Sequence, residues 1–286
     1  MANSLRGKTV VVTGATGGIG LATAQGLGEL GASLIISGRD PDRGRKALEI
    51  LRARGLRAEL ASFDLSSLQS TREGAASILE RVDTIDVLVN NAGLILSERK
   101  ITEDGLEATM ATNHLGPFLL TQLLSEAVTE HGGRIVNVAS TAHRSARKGV
   151  EIDELHSLPA YQAMDVYGRS KLANILFTTE LARRLAPRGI TANSLHPGTV
   201  ATGFARDGDA RGWLAYGVKL IAPFIKNATQ GARCSVYLAS DEAVKDVTGR
   251  YFVNCRERKP SAQAQDLVAA QKLWERSLTL CKLVEA

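Results

Sequence analysis

Tyr167 and Lys171 stand four residues apart. On a helix this spacing puts a phenol and an ammonium group on one face, within reach of one site. The pairing is selective within the chain: Tyr161, Tyr216, Tyr237 and Tyr251 have Asp165, Leu220, Asp241 and Cys255 at the same offset. A free phenol titrates at about pH 10 and a nearby ammonium favours its phenolate, so the pair suits proton transfer nearer neutrality. Ser140, closing the run Val136-Asn137-Val138-Ala139, and Asn113 are polar candidates for the same site.

A second constellation precedes these residues. Thr13-Gly14-Ala15-Thr16-Gly17-Gly18-Ile19-Gly20 follows an apolar strand and opens a helix. Gly14 suits a tight turn, Gly18 lets backbone N–H groups approach a pyrophosphate, and Gly20 lets helix and strand pack closely. The N-terminus of the helix then offers unsatisfied N–H groups and a positive dipole end to phosphates. About 20 residues on, where a carboxylate would bind the adenosine ribose of NAD, the chain reads Ile36-Ser37-Gly38-Arg39-Asp40. Gly38 takes the expected acidic position. Arg39 can stack on adenine and pair with a 2′-phosphate, so NADP(H) is expected over NAD(H), with Asp40 the residue that a shift of register would bring to the ribose.

The elements that must position these groups are legible as alternation. Strand-type runs are expected at Lys8–Thr13, Ser33–Ser37, Ala58–Phe63, Val87–Asn90, Arg134–Ala139, Thr191–Leu195 and Arg250–Asn254. Helical periods lie between them at Ile19–Leu30, Arg43–Arg54, Ser67–Arg81, Pro117–Glu130, Val166–Leu185 and Gln230–Ala239. Continuous Val/Ile/Leu strands alternating with helices specify an α/β doubly wound, seven-stranded parallel sheet of Rossmann type in a single domain, 1–286. Two stretches exceed that core, an insertion at 141–164 and a C-terminal extension at 256–286. In the extension Leu267, Ala270, Trp274, Leu278 and Cys281 fall on one helical face, which implies packing on the body or on a partner.

Composition narrows the class. With 44% hydrophobic and 23% charged residues the chain is not wholly disordered, and its 27 glycines follow no collagen period. Three cysteines without a C-x-x-C pair suit a reducing compartment rather than a disulfide framework or zinc site. No run reaches a membrane span, MANSLRGK leads straight into the first strand without a signal peptide, and a cytoplasmic location is expected. The net charge of +5 is modest, and its basic residues are not interleaved with aromatics, which argues against nucleic acid. His114 and His196 lack metal-ligand company, so no metal site is expected.

Taken in order, the glycine turn, Asp64, Asn90-Asn91-Ala92-Gly93, Asn113, Ser140, Tyr167, Lys171 and Pro197-Gly198 resemble the short-chain dehydrogenase/reductase family over about residues 5–255. The resemblance implies hydride transfer between a nicotinamide cofactor and a carbonyl or alcohol. Tyr167 would be the general acid in reduction and the general base in oxidation, with Lys171 favouring the phenolate and holding the nicotinamide ribose. Ser140 would bind the substrate oxygen, and Asn113 a water on the proton path. Asp64 and Leu65 would flank the adenine, and Asn91, Ala92 and Gly93 would follow the dinucleotide. Val200 would meet the carboxamide and Thr202 a phosphate.

The 27 positions from Ser140 to Tyr167, with the tail Ala269-Ala270-Gln271-Lys272-Leu273-Trp274, resemble the retinol-dehydrogenase-like branch, which includes the WW-domain oxidoreductases. A substrate lid is expected at 199–226. It carries Phe204, Trp213, Leu214, Tyr216, Leu220, Ile221 and Phe224, an apolar set suited to a hydrophobic carbonyl or alcohol. The helices Pro117–Glu130 and Val166–Leu185 match the family's subunit contacts, implying a homodimer or homotetramer. Reduction of a conjugated C=C bond, or a non-catalytic NADP-sensing or scaffold role, are the alternatives.

Overall fold

The computed structural model describes residues 4–155, 160–198 and 227–284. One sheet runs β3-β2-β1-β4-β5-β6-β7-β8, with β1 at Thr9–Val12, β2 at Ser33–Gly38, β3 at Ala58–Ser62, β4 at Val87–Asn90, β5 at Arg134–Val138, β6 at Thr191–His196, β7 at Tyr251–Val253 and β8 at Arg256–Glu257. The first seven strands pair in parallel, as expected; the eighth is an addition, antiparallel to β7. A two-residue turn joins the last pair, with Asn254 and Cys255 at φ 52° and 57°. Two successive positive φ angles are what a tight hairpin with the natural twist requires.

Alternation along the strands divides the core. Val10, Val12, Val87, Val89, Val136 and Val138 face one side of the sheet, under α1 (Gly18–Glu29), α2 (Pro41–Ala53) and a later helix, Ala228–Ser240. Val11, Leu88 and Ile135 face the other, under α3 (Leu68–Leu79), α4 (residues 108–124) and α5 (Ala163–Leu185). We number the Ala228–Ser240 helix α6 and the final one, Leu267–Leu280, α7. The sheet order reverses between β1 and β4, so a crevice opens at their C-terminal ends, where ligands bind in open α/β sheets.

The fourth helix departs from the expected Pro117–Glu130. It begins at Ala108, capped by the buried Glu107 carboxylate, which accepts from the amides of Thr109 (2.9 Å) and Met110 (2.8 Å). It passes through a π-helical stretch at Ala111–Leu115, resumes as Gly116–Leu124 and gives way to a short 3-10 turn. Pro117 is inside this helix. It has no N–H, so the Asn113 carbonyl lacks the donor an α-helix would supply, and the π turn absorbs the mismatch.

The insertion folds into 3-10 turns at Thr141–Ser145 and Ile152–Glu154 and lies against α5. Gly168 permits the approach, since a Cβ there would meet the Ser145 hydroxyl at 2.1 Å. The tail helix α7 packs on the body through Ala270, Leu273, Trp274 and Cys281, whereas Leu267, expected on the same face, is 68% exposed at its first turn. Trp274 meets Phe118 of α4 edge-on at 5.1 Å and Phe177 of α5 at 5.9 Å. The chain's own tail thus occupies part of the helix pair to which the resemblance assigns subunit contacts.

Candidate active site

The glycine turn forms the cradle the sequence implies. Gly14 and Gly18 hold φ of 64° and 54°, accessible to glycine without strain. A Cβ at Gly20 would lie 2.2 Å from the Gly14 carbonyl oxygen, so helix and turn meet only because no side chain intervenes. No side chain caps the N-terminus of α1. Its first N–H groups face the crevice as the phosphate-binding end of a dinucleotide site would require. Asn91 braces the turn from behind: its Nδ2 donates to the carbonyls of Thr13 (2.9 Å) and Gly14 (3.3 Å). The buried Thr13 hydroxyl accepts from the amides of Asn91 and Ala92 at 3.0 and 3.1 Å.

At the end of β2, Arg39 is exposed, and Asp40 is committed elsewhere. Asp40 is the N-cap of α2, its Oδ1 accepting from the amides of Asp42 (2.9 Å) and Arg43 (3.1 Å), bonds that hold its carboxyl below the usual range. Gly38 is constrained too, because a Cβ there would fall 2.4 Å from Thr16 Cγ2. Arg43, not among the candidates read from the sequence, lies at the site: its guanidinium reaches within 3.8 Å of where a Gly17 Cβ would stand. Its position three residues past the cap was readable; its direction was not. Asp64 has its Oδ1 fixed by the Ser66 amide and hydroxyl at 2.9 and 2.8 Å, while Leu65 is buried under α4 at Gly116.

Two of the candidate residues, Lys171 and Asn113, meet at Gly93, where a Cβ would stand 3.1 Å from Lys171 Nζ and 3.2 Å from Asn113 Oδ1. Asn113, in the π turn, pins the chain after β4: its Oδ1 accepts from the Leu94 amide (2.7 Å) and its Nδ2 donates to the Leu94 carbonyl (2.8 Å) and Ser170 Oγ (2.9 Å). Lys171, 2% exposed, donates from Nζ to the Val138 carbonyl at 3.1 Å and lies 5.5 Å from the Tyr167 ring centroid. Ser140, two residues past β5, caps the following 3-10 turn, and its side chain hydrogen-bonds the Tyr167 hydroxyl. Pro197 and Gly198 follow β6, with Gly198 at φ 94°. Val200, Thr202 and the lid 199–226 lie outside the described residues.

Residues 8–211 match the family described as short chain dehydrogenase. The chain belongs to the short-chain dehydrogenase/reductase family. It is 41% identical to human retinol dehydrogenase 11, over 98% of this chain and 87% of that protein. It is 37% identical to the chicken WW domain-containing oxidoreductase, over 97% of this chain and 69% of that protein. A crystal structure of a short chain dehydrogenase from Burkholderia cenocepacia in complex with NADP superposes with a TM-score of 0.71 at 27% identity, covering 92% of this chain and all of that one (100%). The chain is therefore an oxidoreductase of the retinol-dehydrogenase-like branch, a family that binds nicotinamide cofactors. Among the described residues no helix is long and apolar enough to cross a membrane.

Burial sets the electrostatics of this short-chain dehydrogenase/reductase. It pushes the Tyr167 phenol up to about 12, against a lowering from the Ser140 hydrogen bond, and pushes the Lys171 ammonium down to about 8. The phenol thus keeps its proton at neutral pH, and the ammonium is poised to lose one just above it. Sequence reading missed the groups that hold these two: the Val138 carbonyl beneath Lys171, Asn174 on the same carbonyl at 3.2 Å, and Ser170 beside Asn113. Only the i, i+3 and i, i+4 spacings along α5 carry any signal for them.

Proposed function

We propose that this enzyme transfers a hydride between NADP(H) and a hydrophobic carbonyl or alcohol, with Ser140, Tyr167, Lys171 and Asn113 managing the proton. The observation that carries the reading is the chain of contacts from Ser140 to the Tyr167 hydroxyl, from the Tyr167 ring to Lys171, and from Lys171 to Gly93 after β4. The residues fit the cofactor: the N-terminus of α1 carries no side-chain cap, Arg43 reaches the Gly17 end of the glycine turn, and the exposed Arg39 follows β2. Bound there, the nicotinamide supplies or accepts the hydride. Gly14, Thr16, Gly17, Gly18, Ile19 and Gly20 hold the pyrophosphate end, and Asp64, Leu65, Ala92 and Gly93 the adenosine and ribose path.

Ser140 hydrogen-bonds the substrate oxygen and stabilises negative charge building on it. Tyr167 gives its proton to that oxygen in reduction and takes it back in oxidation. Lys171 keeps the phenolate accessible by its charge. The Asn113 side chain is spent on Leu94 and Ser170, so the water it serves binds its main-chain carbonyl, which Pro117 leaves without an α-helical donor. The NADP choice is supported by the commitment of Asp40 to the α2 cap and by the NADP-bound relative; the hydrophobic substrate is supported by the relatives named retinol dehydrogenases.

NADPH fluorescence, followed with a panel of lipophilic aldehydes that includes retinal, tests the whole reading. Oxidation of NADPH with an alcohol as product is expected. A saturated carbonyl product would replace the proposal with C=C reduction, and tight NADPH binding without turnover on any member would favour the sensing role. A second expectation concerns pH. A lowered lysine pKa means the ammonium is lost earlier as pH rises, so kcat/KM for reduction falls through about pH 8 rather than in the ordinary lysine range. Lys171→Arg keeps its charge and removes that limb while slowing turnover. A wild-type profile level into the ordinary lysine range would refute the assignment.

A further inference from the structure

Three contacts tie the C-terminal extension to residues that adjoin the candidate catalytic ones. His143, 1% exposed, lies between Ser140 and the tail. The Ser261 amide can only donate, and it donates to His143 Nε2 at 3.1 Å; the ring proton is therefore on Nδ1, which gives it to the Ser140 carbonyl at 2.7 Å. His114, fully buried and next to Asn113 in the π turn, meets Ser277 of α7 at 3.0 Å. Ser277 Oγ gives its own proton to the Leu273 carbonyl at 2.7 Å, so it accepts from His114 Nε2–H. One residue past His114, the Leu115 carbonyl accepts from Cys281 Sγ at 3.4 Å. The far end of α7 is itself anchored, Arg72 of α3 donating to the Cys281 and Lys282 carbonyls at 2.8 and 3.2 Å.

We propose that the C-terminal extension is a positioning element of the proton relay, acting through His143 on Ser140 and through His114 on Asn113 and Lys171. The path to the lysine is short. His114 Nδ1 is buried and makes no hydrogen bond among the described residues, and Asn174 is the side chain close enough to act on the charge state of the ring. Asn174 and Lys171 Nζ donate to the same Val138 carbonyl, at 3.2 and 3.1 Å, so displacement of the ring reaches the lysine through one shared acceptor. Desolvation keeps both histidines neutral, His114 down to about 4, and so preserves the tautomers that the contacts demand. Neither imidazole touches the reacting atoms; both are positioning residues.

The inference rests on the relay reading of Lys171, but its test needs no substrate. Isotope-labelled lysine is titrated by NMR at the ε-carbon in the full-length protein, with Lys171→Arg identifying the resonance. Ser277→Ala removes one buried oxygen, and His114→Leu removes the ring's polarity at similar volume. Each is expected to disturb the Asn174 and Lys171 bonds to the Val138 carbonyl and so to shift the Lys171 midpoint by roughly half a unit or more. His114→Gln, whose amide reaches Ser277, is expected to restore the wild-type midpoint. A midpoint unmoved in folded Ser277→Ala and His114→Leu protein, even with a lower Tm, would overturn the proposal and leave the tail a purely structural cover. Because no turnover is read, absence of carbonyl reduction would not be mistaken for this failure.

Discussion

Tyr167→Phe is expected to lower kcat for reduction of a lipophilic aldehyde by about a thousandfold or more, with the Kd for NADPH close to wild type. The substitution removes one oxygen and leaves the ring that lies 5.5 Å from Lys171 Nζ. Gly93 and Lys171, which meet at the cofactor side, are untouched, so the cradle should bind as before. What is lost is the proton donor. Burial holds the phenol proton to about 12, so Tyr167 donates only when charge builds on an oxygen placed against it and Ser140. Ser140→Ala serves as the companion, with a loss of about a hundredfold from one missing donor to the developing oxyanion. Stopped-flow NADPH oxidation and a fluorescence titration on the same samples measure both quantities. Turnover within tenfold of wild type in Tyr167→Phe would remove the phenol from the mechanism.

These residues were legible because several independent constraints agree on them. A tyrosine and lysine one turn apart, after a strand-end serine, and a glycine turn between strand and helix, survive in one dimension. The seven parallel strands were equally plain, since strands buried on both faces must be apolar throughout. Less legible were features set by tertiary contact. β8 is two charged residues, Arg256–Glu257, and its turn uses Asn254-Cys255 where a glycine would have been the signal. Gly116-Pro117 reads as a helix start because proline suits a first turn, yet the helix runs through it by changing register. For a related reason, nothing local marked His143 or His114. Their partners, Ser261 and Ser277, are more than a hundred residues away, at separations of 118 and 163, and no local pattern pairs them.

Cofactor choice yields the other large effect. Arg39→Ala is expected to raise KM for NADPH by roughly ten- to a hundredfold, the loss of one charge-assisted fork to a phosphate, while KM for NADH changes little. Arg43→Ala should act in the same direction, since its guanidinium reaches the glycine turn from α2, and the double variant should bring the two cofactors together. Reversing preference takes more than deleting cations, because NAD is selected by a carboxylate on the ribose. Asp40 cannot serve without giving up both amides of its cap. Gly38→Asp alone should fail, as its Cβ would lie 2.4 Å from Thr16 Cγ2. Thr16→Ala removes that methyl and the neighbouring hydroxyl. Thr16→Ala/Gly38→Asp, combined with Arg39→Ala, is therefore expected to turn over faster with NADH than with NADPH, where Gly38→Asp by itself only weakens both. The measurement is kcat/KM for each cofactor at saturating aldehyde. If Gly38→Asp alone switches preference, Thr16 is not the obstacle; if Arg39→Ala leaves the NADPH value intact, the 2′-phosphate is held elsewhere.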